Sequence, residues 1–275
     1  MAYPPIFDAV RACDVEALRR ALAAGGDPDM LHGGGAGLTP LYYAACSHSG
    51  PPGEQIRERL ECISVLLEAG ASVDKLVCGA TPLYLLVSTT PPDDRADEIT
   101  AFVEALVKAG ADVNWAHPPS QISVLTMAAQ SSTAGAVRML ISAGAVDLTT
   151  ALEFAIDNDK QRNCAPLLRA GAAIPVTIKA TPSPTDVYIE KITAAGGYKA
   201  YEKAHRQRLV AIFLAKFPTL PVEMLGRVLE FTWDIGGHCY CTPRPGGGGT
   251  EASAAASCAS KSGAGAGAAT SALSV

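Results

Sequence analysis

The sequence predicts an all-α solenoid, a stack of helix pairs, and three observations predict it. The phrase Ala-Gly-Ala closes four apolar stretches: "LLEAGASVDK" (66–75), "LVKAGADVNW" (106–115), "LISAGAVDLT" (140–149) and "LLRAGAAIPV" (167–176). A weaker copy stands earlier, "ALAAGGDPDM" (21–30). A Thr-Pro-Leu phrase opens other stretches, "TPLYYAA" (39–45) and "TPLYLLV" (81–87), with looser copies in "SVLTMAA" (123–129) and "TALEFAI" (150–156). Between such phrases, Ile99, Phe102, Val103, Leu106 and Val107 fall at the i, i+3, i+4, i+7, i+8 spacing of one helix face.

Each phrase has a mechanical reading. Thr39 and Thr81 offer hydroxyls to uncapped helix N–H groups, and Pro40 and Pro82 suit the first helical position, where no N–H is needed. The glycine after each apolar run suits the left-handed conformation that ends a helix, and the Asp or Asn that follows in several copies starts a turn. One unit is therefore turn, short helix, connection, second helix, glycine stop. Five such units run from about 5 to 174.

Together these phrases resemble the ankyrin repeat, whose period is ~33 residues with a Thr-Pro-Leu-His-x-Ala start. The chain departs from that pattern in places. Tyr42 and Tyr84 stand where the family usually has His, so the tie that its ring makes to the Thr and nearby backbone must be altered or lost, and both tyrosines are taken as scaffold. The step from Thr39 to Thr81 is 42 residues. The excess lies between the helices, in "SHSGPPGEQIRE" (47–58), and a matching insertion, "STTPPDDRADE" (88–98), follows in the next unit. Stacking should place the two side by side, as loop growth or as a built-up partner surface. The fifth unit is short, Pro166 should interrupt or start its second helix, and the unit is expected to cap the stack.

The resemblance implies a non-catalytic scaffold that binds another protein through its turn tips and inner helices. The turn tips are Lys75, Leu76 and Val77, then Trp115, Ala116 and His117. The inner-helix ends are Ser47, Ser88, Thr89, Gln130 and Ser131. Trp115 stands out, because tryptophan is enriched at binding hot spots.

After the repeat domain (1–174), "PVTIKATPSPT" (175–185) has three prolines and is expected to be a linker. A helical segment should fill 186–242, with Tyr198, Tyr201, His205, Leu209, Ile212 and Phe213 able to share a face; His205 in that stripe is expected to be packed. Six Lys or Arg face three acids over 186–217, a local +3 that most simply makes a solvated face. The "FPTLPVEMLGRVLEFTW" stretch (217–233) resembles the opening of an F-box and, more loosely, a SOCS box. That suggests an alternative function, an adaptor recruiting a ubiquitin ligase through 206–233. Residues 243–275, rich in Gly, Ala and Ser, are expected to be disordered.

Composition limits the rest. The 275 residues are 48% hydrophobic and 18% charged, with net charge −5, which argues against a dedicated nucleic-acid or anionic-membrane binder. The N-terminus lacks a secretory pattern, and the longest purely apolar run, 209–215, is far short of the ~20 residues of a spanning helix. The eight cysteines follow no framework spacing and are expected to be reduced, in an intracellular, cytoplasmic or nuclear, monomeric protein. "HCYC" (238–241) lacks the second ligand pair of a structural zinc site. "PRPGGGGT" lacks the ending of a phosphate loop, and Asp93 and Asp94 look solvated. No catalytic residue, cofactor or metal is expected. A Cys/His hydrolase or metal protein is the remaining reading from another class.

Overall fold

The computed structural model describes residues 5–32, 37–46, 56–89, 95–175 and 182–216. Ten helices form five antiparallel pairs: α1 (Pro5–Ala12) with α2 (Val15–Ala23), α3 (Pro40–Cys46) with α4 (Ile56–Glu68), α5 (Pro82–Ser88) with α6 (Ala96–Lys108), α7 (Val124–Ser131) with α8 (Ala134–Ser142), and α9 (Leu148–Asp157) with α10 (Gln161–Ala170). The odd-numbered helices pack in series as one layer, and the even-numbered helices pack in series as the other. This two-layer stack is the solenoid that the repeated phrases predict.

The caps form as the sequence predicts. Thr39 Oγ1 accepts the Tyr42 N–H at 3.1 Å and Thr81 Oγ1 accepts the Tyr84 N–H at 3.3 Å. In the looser copies Ser123 serves α7 and Thr133 serves α8. Gly70 and Gly110 have φ of +90° and +89°, where a side chain would be strained. The stripe residues Ile99, Phe102, Val103 and Leu106 are fully buried between the layers, each stabilising the fold by about 1.5–3 kcal/mol. Helices α6 and α8 approach closely at Gly135, whose missing Cβ leaves room for Thr100. The Thr100 hydroxyl lies 3.2 Å from that of Thr133.

The turns of successive pairs are tied by a ladder of side chains. Asp29 Oδ1 accepts the Ser72 N–H at 3.0 Å. One repeat on, Asp74 accepts the Asp112 N–H through both oxygens, at 3.3 and 3.1 Å. Next, Asn114 Oδ1 accepts the Val146 N–H at 3.1 Å while its amide donates to the Gly144 carbonyl at 3.3 Å. Thr149 Oγ1 then accepts the Ala173 N–H at 3.2 Å. The Asp74 rung is the one in electrostatic conflict. Burial pushes its carboxyl up, the Asp112 N–H opposes this, and the neighbouring Asp112 carboxylate pushes it up further. A native carboxyl raised above its unfolded value binds more protons when folded, so this rung weakens as pH rises through the raised value. Asp74→Asn, copying Asn114, is expected to stabilise the chain by roughly 0.5–1 kcal/mol at neutral pH, the size of one added hydrogen bond. The gain should shrink toward zero in acid. Denaturant melts at pH 7 and below pH ~4 check both.

Beyond α10 the structure departs from expectation. Helix α11 (Pro184–Ala194) begins inside the stretch taken as a linker and packs on α10. Tyr188, Ile189, Ile192 and Tyr198 belong to the same hydrophobic core as the repeats. The core therefore does not stop at 174, and the fifth unit is not the end of the stack. The three prolines misled because Pro184 occupies the first turn of α11 behind the Ser183 cap, where proline is favoured. Pro166 likewise neither starts nor interrupts α10, which runs through it with the ring buried. The two insertions are also shorter than expected, since 56–58 and 96–98 are already helical. Ser88 is likewise helical, as the end of α5, and residues 47–55 and 90–94 of the insertions lie outside the described residues.

Two compact units divide the chain, Met1–Glu202 and Lys203–Val275. The last described helix, α12 (Tyr198–Lys216), carries residues of both. In the second unit, Leu209 is buried with Val210 and Phe213 packed against it. His205 is half-buried, and burial, then the charge of Arg208, holds its ring below the ordinary imidazole range. Residues 217–275, with the F-box-like stretch, the HCYC motif and the Gly/Ala tail, lie outside the described residues.

Candidate functional site

The turns project fingers whose two sides differ. Counting from the ladder residues Asp29, Asp74 and Asn114, the third residue on is His32, Val77 and His117. Each is paired across its finger: His32 with Leu38, Val77 with Ala80, and His117 with Ile122. In the third finger the pairing extends to two short strands, β1 (Ala116–His117) and β2 (Ile122–Ser123). Strand side chains alternate in direction. The third residue faces inward: His32 packs on Phe7 at 5.0 Å between ring centroids, and His117 stacks on Tyr84 at 5.5 Å. Val77 is 0% exposed. Its side chain is therefore part of the fold and not of the turn-tip surface, contrary to the expectation from sequence.

The second residue on faces outward. Leu31 and Leu76 are 55% and 53% exposed, and the equivalent third position is Ala116, half-buried. Sequence reasoning found Leu76 but missed Leu31. The available signal was the alignment of "DPDMLH" (27–32) with "SVDKLV" (72–77) on the ladder aspartate.

Trp115 is not the free anchor that its place at a turn suggests. It is half-buried, packs against the core, and meets the Tyr84 ring edge-on at 5.1 Å and the His117 ring at 6.0 Å. Truncating it removes fold contacts as well as surface, so Trp115→Ala is expected to lower the melting point. The same contacts answer the question posed by the tyrosine at the family's histidine position. Tyr84, 6% exposed, reaches the neighbouring finger, where its ring packs on those of Trp115 and His117 and its hydroxyl comes near the Ser120 side chain. Ser120 Oγ also lies 3.1 Å from His117 Nδ1. The tie is altered, with the longer arm fastening one repeat to the next finger.

The inner-helix ends are half-buried and locally bonded. Ser88 and Thr89 hydroxyls donate to the Leu85 and Leu86 carbonyls, each at 2.7 Å, and Ser131 lies 3.7 Å from Met127 Sδ. Gln130 and Lys75 are half-buried too. Ser47 lies outside the described residues.

The family model for the ankyrin repeat matches residues 36–76. These residues include the Thr39 cap, helices α3 and α4, and the Asp74 rung. The fold is an ankyrin-repeat fold. No curated protein matches the chain. Ankyrin repeats are protein–protein interaction modules, typically non-catalytic.

Cys13, Cys46, Cys62, Cys78 and Cys164 are free thiols. Burial pushes Cys46, Cys62 and Cys164 up to about 12, which keeps them protonated at neutral pH. Among the described residues no group of three or more His, Cys, Asp or Glu could hold a metal ion. No helix among them is long and apolar enough to cross a membrane.

Proposed function

We propose that this chain binds a partner protein along its finger row, with Leu31 and Leu76 as the apolar contacts and Lys75 and Ala116 beside them. Ser88, Thr89, Gln130 and Ser131 extend the surface toward the inner helices. The observation that supports this most is the pair of exposed leucines at equivalent positions of two fingers. Leucine side chains cost free energy in water and gain it under a partner, and the ladder beneath them holds the fingers in register, so little ordering is required on binding.

The test is the full chain carrying Leu31→Asp and Leu76→Asp together, compared with the unaltered chain in affinity purification and then in titration of the captured protein. Both side chains face solvent, so melting should move little. Affinity should fall at least ~10-fold, since the variant loses the apolar burial of two leucines, about 1.5–3 kcal/mol each when fully covered, and places two carboxylates where a partner would desolvate them. An unchanged affinity for every captured protein would place the partner surface elsewhere.

A further inference from the structure

We propose that Ser183 is a phosphorylation site for a proline-directed protein kinase, and that its modification loosens helix α11 from the end of the stack. The inference starts from a contrast within the chain. Among the described residues a Ser or Thr precedes proline three times: Thr39-Pro40, Thr81-Pro82 and Ser183-Pro184. Thr39 and Thr81 are each 1% exposed, sealed at the starts of α3 and α5. Ser183 is half-buried between two exposed prolines, Pro182 and Pro184. The same dipeptide is thus a sealed cap in the repeats and a part-exposed cap here.

The acceptor residue itself is extended, and helix α11 starts at the next residue, so a kinase that engages Ser183 must draw out the first turn of α11. Ser183 has φ −76° and ψ 167°, the extended form that a following proline imposes. Protein kinases read their substrates as extended chain around the acceptor hydroxyl. Pro184 lacks an N–H, which selects for kinases that tolerate a missing donor after the acceptor. The next hydroxyl, Thr185, is 0% exposed and bonded to Asp159, so it does not compete. In the transfer, Ser183 Oγ attacks the γ-phosphorus of ATP. The Oγ–P bond forms as the bond to the ADP oxygen breaks, and the hydroxyl proton passes to the kinase's base.

The consequence follows from what surrounds Ser183. Its hydroxyl accepts the Asp186 N–H at 3.2 Å, and its own N–H donates to Asp186 Oδ2 at 2.8 Å, a reciprocal capping box. Two residues on, Thr185 donates its N–H and its hydroxyl to Asp159 Oδ1 at 3.0 and 2.6 Å. This is the polar fastening between α11 and the turn before α10. A phosphoryl group brings about −1.5 to −2 charges to an end already holding Asp186 and Asp159. Repulsion sets the new charge against the Asp186 carboxylate that completes the box. That strains the fastening under which Tyr188, Ile189 and Ile192 are buried.

The experiment treats the full chain with radiolabelled ATP and a purified cyclin-dependent or mitogen-activated kinase, maps the label by mass spectrometry, and follows amide exchange in α11. Ser183→Asn keeps a good cap without an acceptor hydroxyl, and Pro184→Ala keeps the hydroxyl while removing the recognition element. The expected result is label on Ser183 in the unaltered chain, its loss in both variants, and α11 exchange at least ~10-fold faster after phosphorylation. No label on Ser183, label on Ser183 that persists in Pro184→Ala, or unchanged α11 exchange in the labelled protein would each overturn the proposal.

Discussion

Arg59→Ala is expected to destabilise the chain by about 3–5 kcal/mol, the range for breaking one partner of a buried ion pair. Arg59 and Glu98 are 7% and 4% exposed, with Nη1 2.7 Å from Oε1. The guanidinium also donates from Nε and Nη2 to the Ala44 carbonyl at 3.0 and 2.8 Å, and from Nη2 to Ala45 at 3.3 Å. Its plane lies over the Phe102 ring, 4.5 Å from the centroid. One side chain thus ends α3, pairs with the start of α6, and packs in the core. Burial lowers the Arg59 pKa while the Glu98 carboxylate holds it up, so removing the arginine leaves a buried carboxylate facing only the more distant Arg95, at 3.9 Å. Lysine should not substitute, because a single ammonium cannot match the planar fork. The diagnostic comparison is Arg59→Met with Glu98→Leu. If the cost comes from an uncompensated charge, the double variant should be more stable than Arg59→Ala by a kcal/mol or more. Equilibrium denaturation of the three proteins measures this, and a loss under ~1 kcal/mol for Arg59→Ala would sink the account.

Asn163 performs the matching task at α7, and Asn163→Asp should be nearly as damaging at neutral pH. Its amide nitrogen, in a residue 2% exposed, donates to the Ala129 carbonyl at 2.9 Å and to Ser132 at 3.2 Å, with Ala128 at 3.5 Å. A carboxylate there offers only acceptors to acceptors. Two unsatisfied buried carbonyls cost roughly 2–4 kcal/mol, before any penalty for burying the charge. The sign with pH separates this from a loss of packing. Burial among carbonyls would raise the new carboxyl in the folded state, so the variant should lose stability as pH rises and recover part of it in acid. Asn163→Ala should show no such recovery. Melting curves of both variants at pH 4 and 7, values spanning the ordinary carboxylate range, distinguish the two.

Both residues lie on outer helices and close the carboxyl ends of inner ones. That pattern was not legible in the sequence. Arg59 and Asn163 look like ordinary polar positions on amphipathic helices, and Glu98 stood inside a stretch taken as loop. Their partners lie 39 residues away for Arg59 and 34 for Asn163, beyond any periodicity or motif window.

What the sequence determined by itself is local. The hydroxyl caps, the proline starts, the glycine stops and the Ile99–Leu106 stripe act within one or two helical turns, so the residues that need each other are neighbours in the chain. Their repetition also revealed the stacking, because equivalent phrases must meet equivalent neighbours. Tertiary structure decided the rest. It placed Val77 inside and Leu76 outside, since finger pairing sets which side of the strand faces the helices. It drew Trp115 into contact with Tyr84, a residue of the preceding repeat, and it carried the core past the prolines into α11. In each case the deciding partner belongs to another element, so the free energy of the contact depends on packing that no stretch of sequence contains alone.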